Sequence, residues 1–401
     1  MNATREYPAA SHEEGRAPIT FLATAHVVND AYGTVYPVLI PLLMVLSHWS
    51  VTVATLAGAI GWMAQAAQPF LGRLVDARPG RYYIALSLLV ISVAVLAEPF
   101  SRNFFLFLSV ILVATLASSL FHPPALAQIG HDSRRSQIMP VFLVSGNVGR
   151  AVGPLATSAL IVLAGHHISG AAVIALPGLV LAGMAGMMAP RFQMPVRHSA
   201  EAVSMRALVR GRTRPLTALL GLTGVRSLVS SGLLAMLPIW FHLQGHNELK
   251  AGVYLAVLLF VGSLGNGLGG WLMGRWPRWV LFSVSTAGTA VAFLLFVGST
   301  GFWSLILIGL IGLFAMATSS LNILIGQELL PESRGMGSGV ALGLGNSVGA
   351  LFVALLSLVA GHYGIPAALY IIGVLALLSV PLSFLYGGWT HLDTRFGPRP
   401  A

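Results

Sequence analysis

Residues 18–46 read PITFLATAHVVNDAYGTVYPVLIPLLMVL, a long apolar stretch holding a single acid, Asp30. Crossing the hydrocarbon layer of a bilayer takes about 20 apolar residues, so this stretch is long enough to span one. A charge near the middle of a span costs about 2.5–3.5 kcal/mol on insertion scales. Such a charge persists where it faces protein or a water-filled path. His26 sits four positions before Asp30, hence on the same helix face. Asn29, beside them, is placed to hydrogen-bond the carboxyl.

The rest of the chain has the same character. Its 401 residues are 56% hydrophobic and 8% charged, with a mean hydropathy of +0.82. A soluble domain carries about 25% charged residues, so this chain cannot cover a water-facing surface. It is a polytopic all-α membrane protein in composition. Apolar windows fall at 18–46, 52–75, 82–99, 103–129, 136–164 and 168–189, then at 215–243, 251–274, 279–298, 302–329, 335–362 and 364–388. Twelve transmembrane helices are therefore expected, in two groups of six. The halves are 18–189 and 215–389, joined by a basic linker at 190–214 and flanked by tails at 1–17 and 390–401. Residues 1–17 hold no short apolar core of a cleavable signal, so the first span is expected to act as its own insertion signal. Cysteine is absent, which excludes disulfides and thiolate metal sites. No nucleophile–base set or phosphate loop points to an enzyme, and no cofactor is expected.

The net charge of +10 would suggest a nucleic-acid partner in a soluble protein. Its placement says otherwise. Eighteen arginines fall in the tails and in alternate loops, including Arg73, Arg78, Arg81, Arg134, Arg135 and Arg275. The intervening loops hold only Arg102 and Lys250. Cytoplasmic loops carry the excess of Lys and Arg, so both termini are expected in the cytoplasm. The partners are then the lipid bilayer, protons and a small-molecule substrate, not nucleic acid.

The halves also repeat. PFLGRLVDARPGR from Pro69 aligns with NGLGGWLMGRWPR from Asn266, and SSLFHPPALAQI from Ser118 with SSLNILIGQELL from Ser319. Gly146–Asn147 matches Gly345–Asn346. All lie close to 200 positions apart, in order. Two parallel six-helix repeats form a common transporter plan.

These motifs resemble those of the major facilitator superfamily. Gly72, Leu74, Asp76, Arg78, Gly80 and Arg81 are similar to its G-x-L-x-D-R-x-G-R-R loop, with one extra residue after the Asp. Gly149, Gly153 and Pro154 resemble the G-x-x-x-G-P core of its antiporter motif. AHVVND (Ala25–Asp30), SSLFHP (Ser118–Pro123) and SGNVGRAVGPL (Ser145–Leu155) are similar to patterns of the bacterial fosmidomycin-resistance transporters. The resemblance implies two pseudo-symmetric six-helix bundles, with helices 1, 4, 7 and 10 lining a central cavity. It also implies proton-coupled efflux of a drug or small organic, possibly anionic, compound across the bacterial inner membrane, by a monomer.

On that plan Asp30, His26 and His122 are the candidate proton-coupling residues. Asn29, Arg150, Arg226, Phe121 and Asn322 are the candidates for substrate contact. Asp76, Arg78 and Arg81 are the candidate gate latch. Two other functions remain open: an uptake symporter for a metabolite, and a transition-metal transporter using His26, Asp30 and His122. Glu98 and Glu328, near helix ends, are expected to reach the membrane interface.

Overall fold

The computed structural model describes residues 16–77, 80–130, 135–192, 211–331 and 334–389. Residues 1–15, 193–210 and 390–401, which make up most of the tails and linker, and Arg78 lie outside them, as does the side chain of Asp76. Among the described residues there are helices and no strands. Eleven helices are long and apolar enough to cross a membrane, and a twelfth is shorter.

In chain order they are α1 (Ile19–Leu46), α2 (Val51–Ala67), α3 (Tyr83–Phe100), α4 (Phe104–Ile129), α5 (Ile138–Leu163) and α6 (Ile168–Arg191). The second set is α7 (Thr213–Leu243), α8 (Glu248–Leu272), α9 (Arg278–Val297), α10 (Gly301–Leu329), α11 (Met336–Tyr363) and α12 (Ile365–Phe384). Several windows are less regular than their apolar pattern predicts. The α1 helix is interrupted between Tyr32 and Tyr36. The second window is bent, because Ala64–Ala67 forms a 3₁₀ turn before the chain continues as the helix Gln68–Ala77. The α11 helix widens into a π turn at Val340–Leu344, a distortion that often marks function.

Small residues set the distance between α1 and α5. A β-carbon on Gly149 would collide with the carbonyl of Val27, and one on Gly153 with the carbonyl of Ala31. The second half repeats this contact between α7 and α11: Gly345 meets Thr223, and Gly349 meets Ser227. Each partner and each glycine recurs 196 positions on. Close approach at small residues is how membrane helices gain packing contacts without a hydrophobic driving force.

The buried apolar residues show where the halves separate. One large cluster draws on both halves, joining Val35, Leu39, Ala57 and Phe107 to Leu233, Met236, Val353 and Leu369. It lies toward the end away from the arginine-rich loops. At the basic end there are two separate clusters, one around Phe21, Phe121 and Phe142, the other around Leu219, Phe282 and Ile325. The central helices agree. In α7, Ser227–Ile239 is buried throughout, whereas the preceding turns alternate with exposed positions. The halves share one apolar core at the closed end; at the basic end their buried apolar residues fall into two separate clusters, and the helix Gln68–Ala77 of the first half still packs against Arg334–Gly339 and Val340–Leu344 of the second.

The closed end is held by inter-half contacts. Gly58 packs against Ala235, and Gly361 against Thr52. His166 lies 2.9 Å from Glu248, linking the loop after α5 to the first turn of α8.

Candidate functional site

Asp30 sits where α1, α4 and α5 meet. Its side chain is 4% exposed and is approached by four side chains. Arg150 donates through Nε to Oδ2 at 3.0 Å. Asn29 donates through Nδ2 to Oδ1 at 3.0 Å, and also to Ser118 Oγ at 3.0 Å. His26 Nε2 lies 3.5 Å from Oδ2 and His122 Nε2 lies 3.3 Å from Oδ1. Gly146 makes the room, since a β-carbon there would strike the His26 ring. Its place in a quoted repeat was the only sequence signal for that role.

The far nitrogen of each ring decides what the near one can do. His26 Nδ1 is 2.8 Å from the carbonyl of Phe142, and His122 Nδ1 is 2.9 Å from that of Ser118. A carbonyl only accepts, so each Nδ1 carries hydrogen. Each Nε2, the ring nitrogen without hydrogen in that tautomer, is aimed at Asp30. In the neutral rings two lone pairs face a carboxylate. A proton on either Nε2 turns that contact into an N–H···O bond with no heavy atom moving.

The same three side chains bring possible metal ligands within 4.8 Å of one another. Pinned Nδ1 atoms also suit histidine ligands. The Arg150 guanidinium counts against it: a dication bound there would lie beside a fixed positive charge already paired with the carboxylate. The positive partner at this site is the arginine.

In the second half, Arg226 donates through Nη2 to Asn346 Oδ1 at 2.7 Å and through Nη1 to Met316 Sδ at 3.5 Å. Its Nε is buried without a partner. Asn346 in turn donates to Gln65 Oε1 at 3.0 Å, and Ser347 to the Met63 carbonyl at 3.1 Å. Arg226 is thereby wired to α2 of the other half. A small cavity beside it is lined by the hydroxyl residues Ser285, Thr286, Thr289 and Thr318. Neither Asn346 nor Gln65 stood out as a charge in a span.

The remaining sequence candidates divide. Arg150, 48% exposed, and His122, 27% exposed, line the open cavity. Asn29 is fully buried behind the carboxylate, so its amide positions Asp30 instead of meeting substrate. Phe121 is a correction: it is fully buried and packs beside His26, ring centres 5.9 Å apart, with Phe142 on the same cluster. Asn322 is buried with neither amide atom partnered. In the expected latch, Arg81 is exposed with its guanidinium 5.0 Å from the Tyr82 ring centre. Asp76 and Arg78 cannot be placed, lying outside the described side chains. Neither helix-end glutamate reaches the interface freely. Glu328 is paired with Arg278 at 2.7 and 2.9 Å, and Glu98 is fully buried.

The paired six-helix halves, with a buried carboxylate among the helices of the first, agree with the sequence comparison. Residues 22–352 match the description of the Major Facilitator Superfamily. The chain belongs to that superfamily. The MFS-type transporter YfnC of Bacillus subtilis (strain 168) is 25% identical over 390 residues, 92% of each chain. The fosmidomycin resistance protein of Escherichia coli (strain K12) is 26% identical over 395 residues, 94% of this chain and 95% of that one. Among solved structures, a bacterial homologue of the human lysosomal transporter Spinster, inward-facing and unoccupied, superposes with a TM-score of 0.80 at 15% identity. It covers 97% of this chain and all of that one. The nucleoside transporter NupG gives 0.74 at 13% identity, covering 92% and 99%. This superfamily member is thus a multi-pass secondary transporter of a small molecule.

Proposed function

We propose that the protein is a proton-coupled transporter of a small organic anion, working by alternating access. The observation that carries this reading is the pair Arg150 and Arg226. They come from opposite halves and lie within electrostatic reach of one another. Arg150 has one carboxylate partner, while Arg226 has only an amide and a thioether. An anion between them relieves their repulsion, and guanidinium forks suit carboxylate and phosphonate oxygens.

Coupling follows from the shared guanidinium. An anion that engages Arg150 competes with Asp30 for it. The carboxylate that loses its arginine stays in place, facing two ring nitrogens, and gains a proton. By linkage each ligand then raises the affinity of the other. Joint binding means cotransport. With the arginine-rich end in the cytoplasm of a bacterial inner membrane, an inward proton gradient drives uptake. Export in exchange for protons is the second reading, favoured by the resemblance to a resistance protein. It requires anion and proton to exclude one another.

Proteoliposomes with an imposed proton gradient test the proposal. Anion accumulation on the alkaline side, lost in Arg150→Gln and Arg226→Gln, supports cotransport. Accumulation on the acidic side supports exchange. Transport indifferent to the gradient would overturn proton coupling altogether.

A further inference from the structure

Glu98 is fully buried at the closed end of the bundle, and among the described residues neither carboxyl oxygen has a hydrogen-bond partner. It begins the short turn Glu98–Phe100 that ends α3. This turn packs against the second half of α1, the rest of α3, α4 and the start of α6. Tyr36, on α1, is within electrostatic reach of Glu98, and the Trp62 indole of α2 lies beside the Tyr36 hydroxyl. The Trp62 N–H is likewise buried and unpartnered. On the packed elements Tyr36 is the titratable side chain that faces Glu98. Arg102, His166 and His167 lie in exposed loops nearby.

An ionised carboxylate enclosed by protein with no donor is far more costly than the neutral acid. The same group becomes cheap to ionise once water reaches it. Glu98 itself packs among elements of the first half, but the helix Tyr36–Leu46 beside it also packs on α7 and carries Tyr36 into the apolar cluster that joins the halves, so opening of that end loosens its enclosure and admits water. Tyr36 stands six residues beyond Asp30 on α1, about 9 Å along the axis, so Glu98 is remote from the cavity cluster.

We propose that Glu98 is a second proton-binding site, loaded from the compartment at the closed end. A proton enters the carboxylate as that end closes and leaves as it opens. Closure is therefore favoured when that compartment is acidic. This inference adds to the coupling proposed for Asp30 and rests on it only for its place in the transport cycle.

Two readouts separate the ideas. Infrared spectra of the purified protein at alkaline pH should contain a carbonyl stretch from a protonated carboxylic acid, lost in Glu98→Gln. A spectrum unchanged by the substitution would overturn the proposal whatever the transport assays show. If Glu98→Gln fails to insert, Glu98→Met replaces a neutral acid with an apolar side chain of similar length and serves the same comparison. The second readout uses Thr52→Cys, at the closed end of a chain without native cysteine. Its labelling rate by an impermeant maleimide, divided at each pH by that of a free thiol to remove the thiolate dependence, should fall several-fold as the outside solution is acidified, and Glu98→Gln should abolish that residual dependence. Retained dependence would place the pH sensor elsewhere. If wild-type transport ignores protons while the infrared band is still lost in the variant, Asp30 coupling fails and the Glu98 site stands.

Discussion

Arg226 stands in the second half where Asp30 stands in the first. Each side chain hydrogen-bonds a partner 120 positions later, Asp30 to Arg150 on α5 and Arg226 to Asn346 on α11. The fold repeats the geometry and reverses the polarity: the guanidinium is on the outer partner in one half and on the central helix in the other. One half satisfies its arginine with a carboxylate, and the other leaves it with an amide. That asymmetry leaves the second arginine without the carboxylate that the first one has.

Restoring the symmetry should impair binding. In Asn346→Asp the second arginine gains its own carboxylate, as Arg150 has. A substrate anion must then displace that carboxylate. We expect affinity to fall about tenfold or more, equivalent to about 1.4 kcal/mol, with the folded state no less stable. Ligand-induced thermal stabilisation across a panel of carboxylates and phosphonates measures it.

Removing Arg150 should cost stability as well as binding. Arg150→Gln leaves a carboxylate that is 4% exposed without its cation. Loss of one partner of a buried polar contact costs about 1–3 kcal/mol. The half-exposed position of Arg150 puts the loss at the lower end. Because Asp30 can escape by taking a proton, the loss should shrink as the pH is lowered. Thermal unfolding in detergent at several pH values would show the midpoint gap narrowing toward acid.

The glycine contacts should tolerate nothing larger. In Gly149→Ala and Gly349→Ala a methyl group meets backbone on the facing helix. Overpacking of this kind costs about 1–3 kcal/mol. Gly183→Ala is the control, since open space surrounds that position. Melting of the three variants in the same detergent should separate the two contact sites from the control.

The link between His166 and Glu248 crosses the halves at the closed end, with His166 54% exposed. A surface pair of this sort is worth about 0.2–1 kcal/mol and is screened by salt. Glu248→Gln should therefore raise maleimide labelling of Thr52→Cys by a few-fold at most, and high salt should have the same effect on the parent. An unchanged labelling rate in both would mean that the closed end is held by its apolar layer alone.

The architecture was legible because bilayer crossing leaves a coarse signal. Twelve apolar windows, arginines in alternate loops and quoted repeats suffice for two six-helix halves. Asp30, His26 and His122 stood out for a related reason: polar groups in a span are rare, and those three lie at matching depth. Interior orientation was less accessible. Phe121 and Asn29 lie on the cavity-lining helices but turn inward, away from the opening, and helix periodicity is weak where nearly every residue is apolar. Asn346 and Gln65 carry no charge, so Gln65 went unmarked and Asn346 was marked only as part of a repeat, without a role, until the arginine they serve was in place. Glu98 was misread because a helix end normally meets the interface, whereas here the following turn is packed beneath four helices.

Proton uptake on ligand binding tests the central claim most directly. Purified protein in weakly buffered detergent solution is mixed with a saturating organic anion chosen by thermal stabilisation, and the bulk pH is followed. Wild type should take up protons as the anion binds, and Asp30→Asn should bind without taking up any. Proton release by the wild type, or uptake unchanged in Asp30→Asn, would contradict the account.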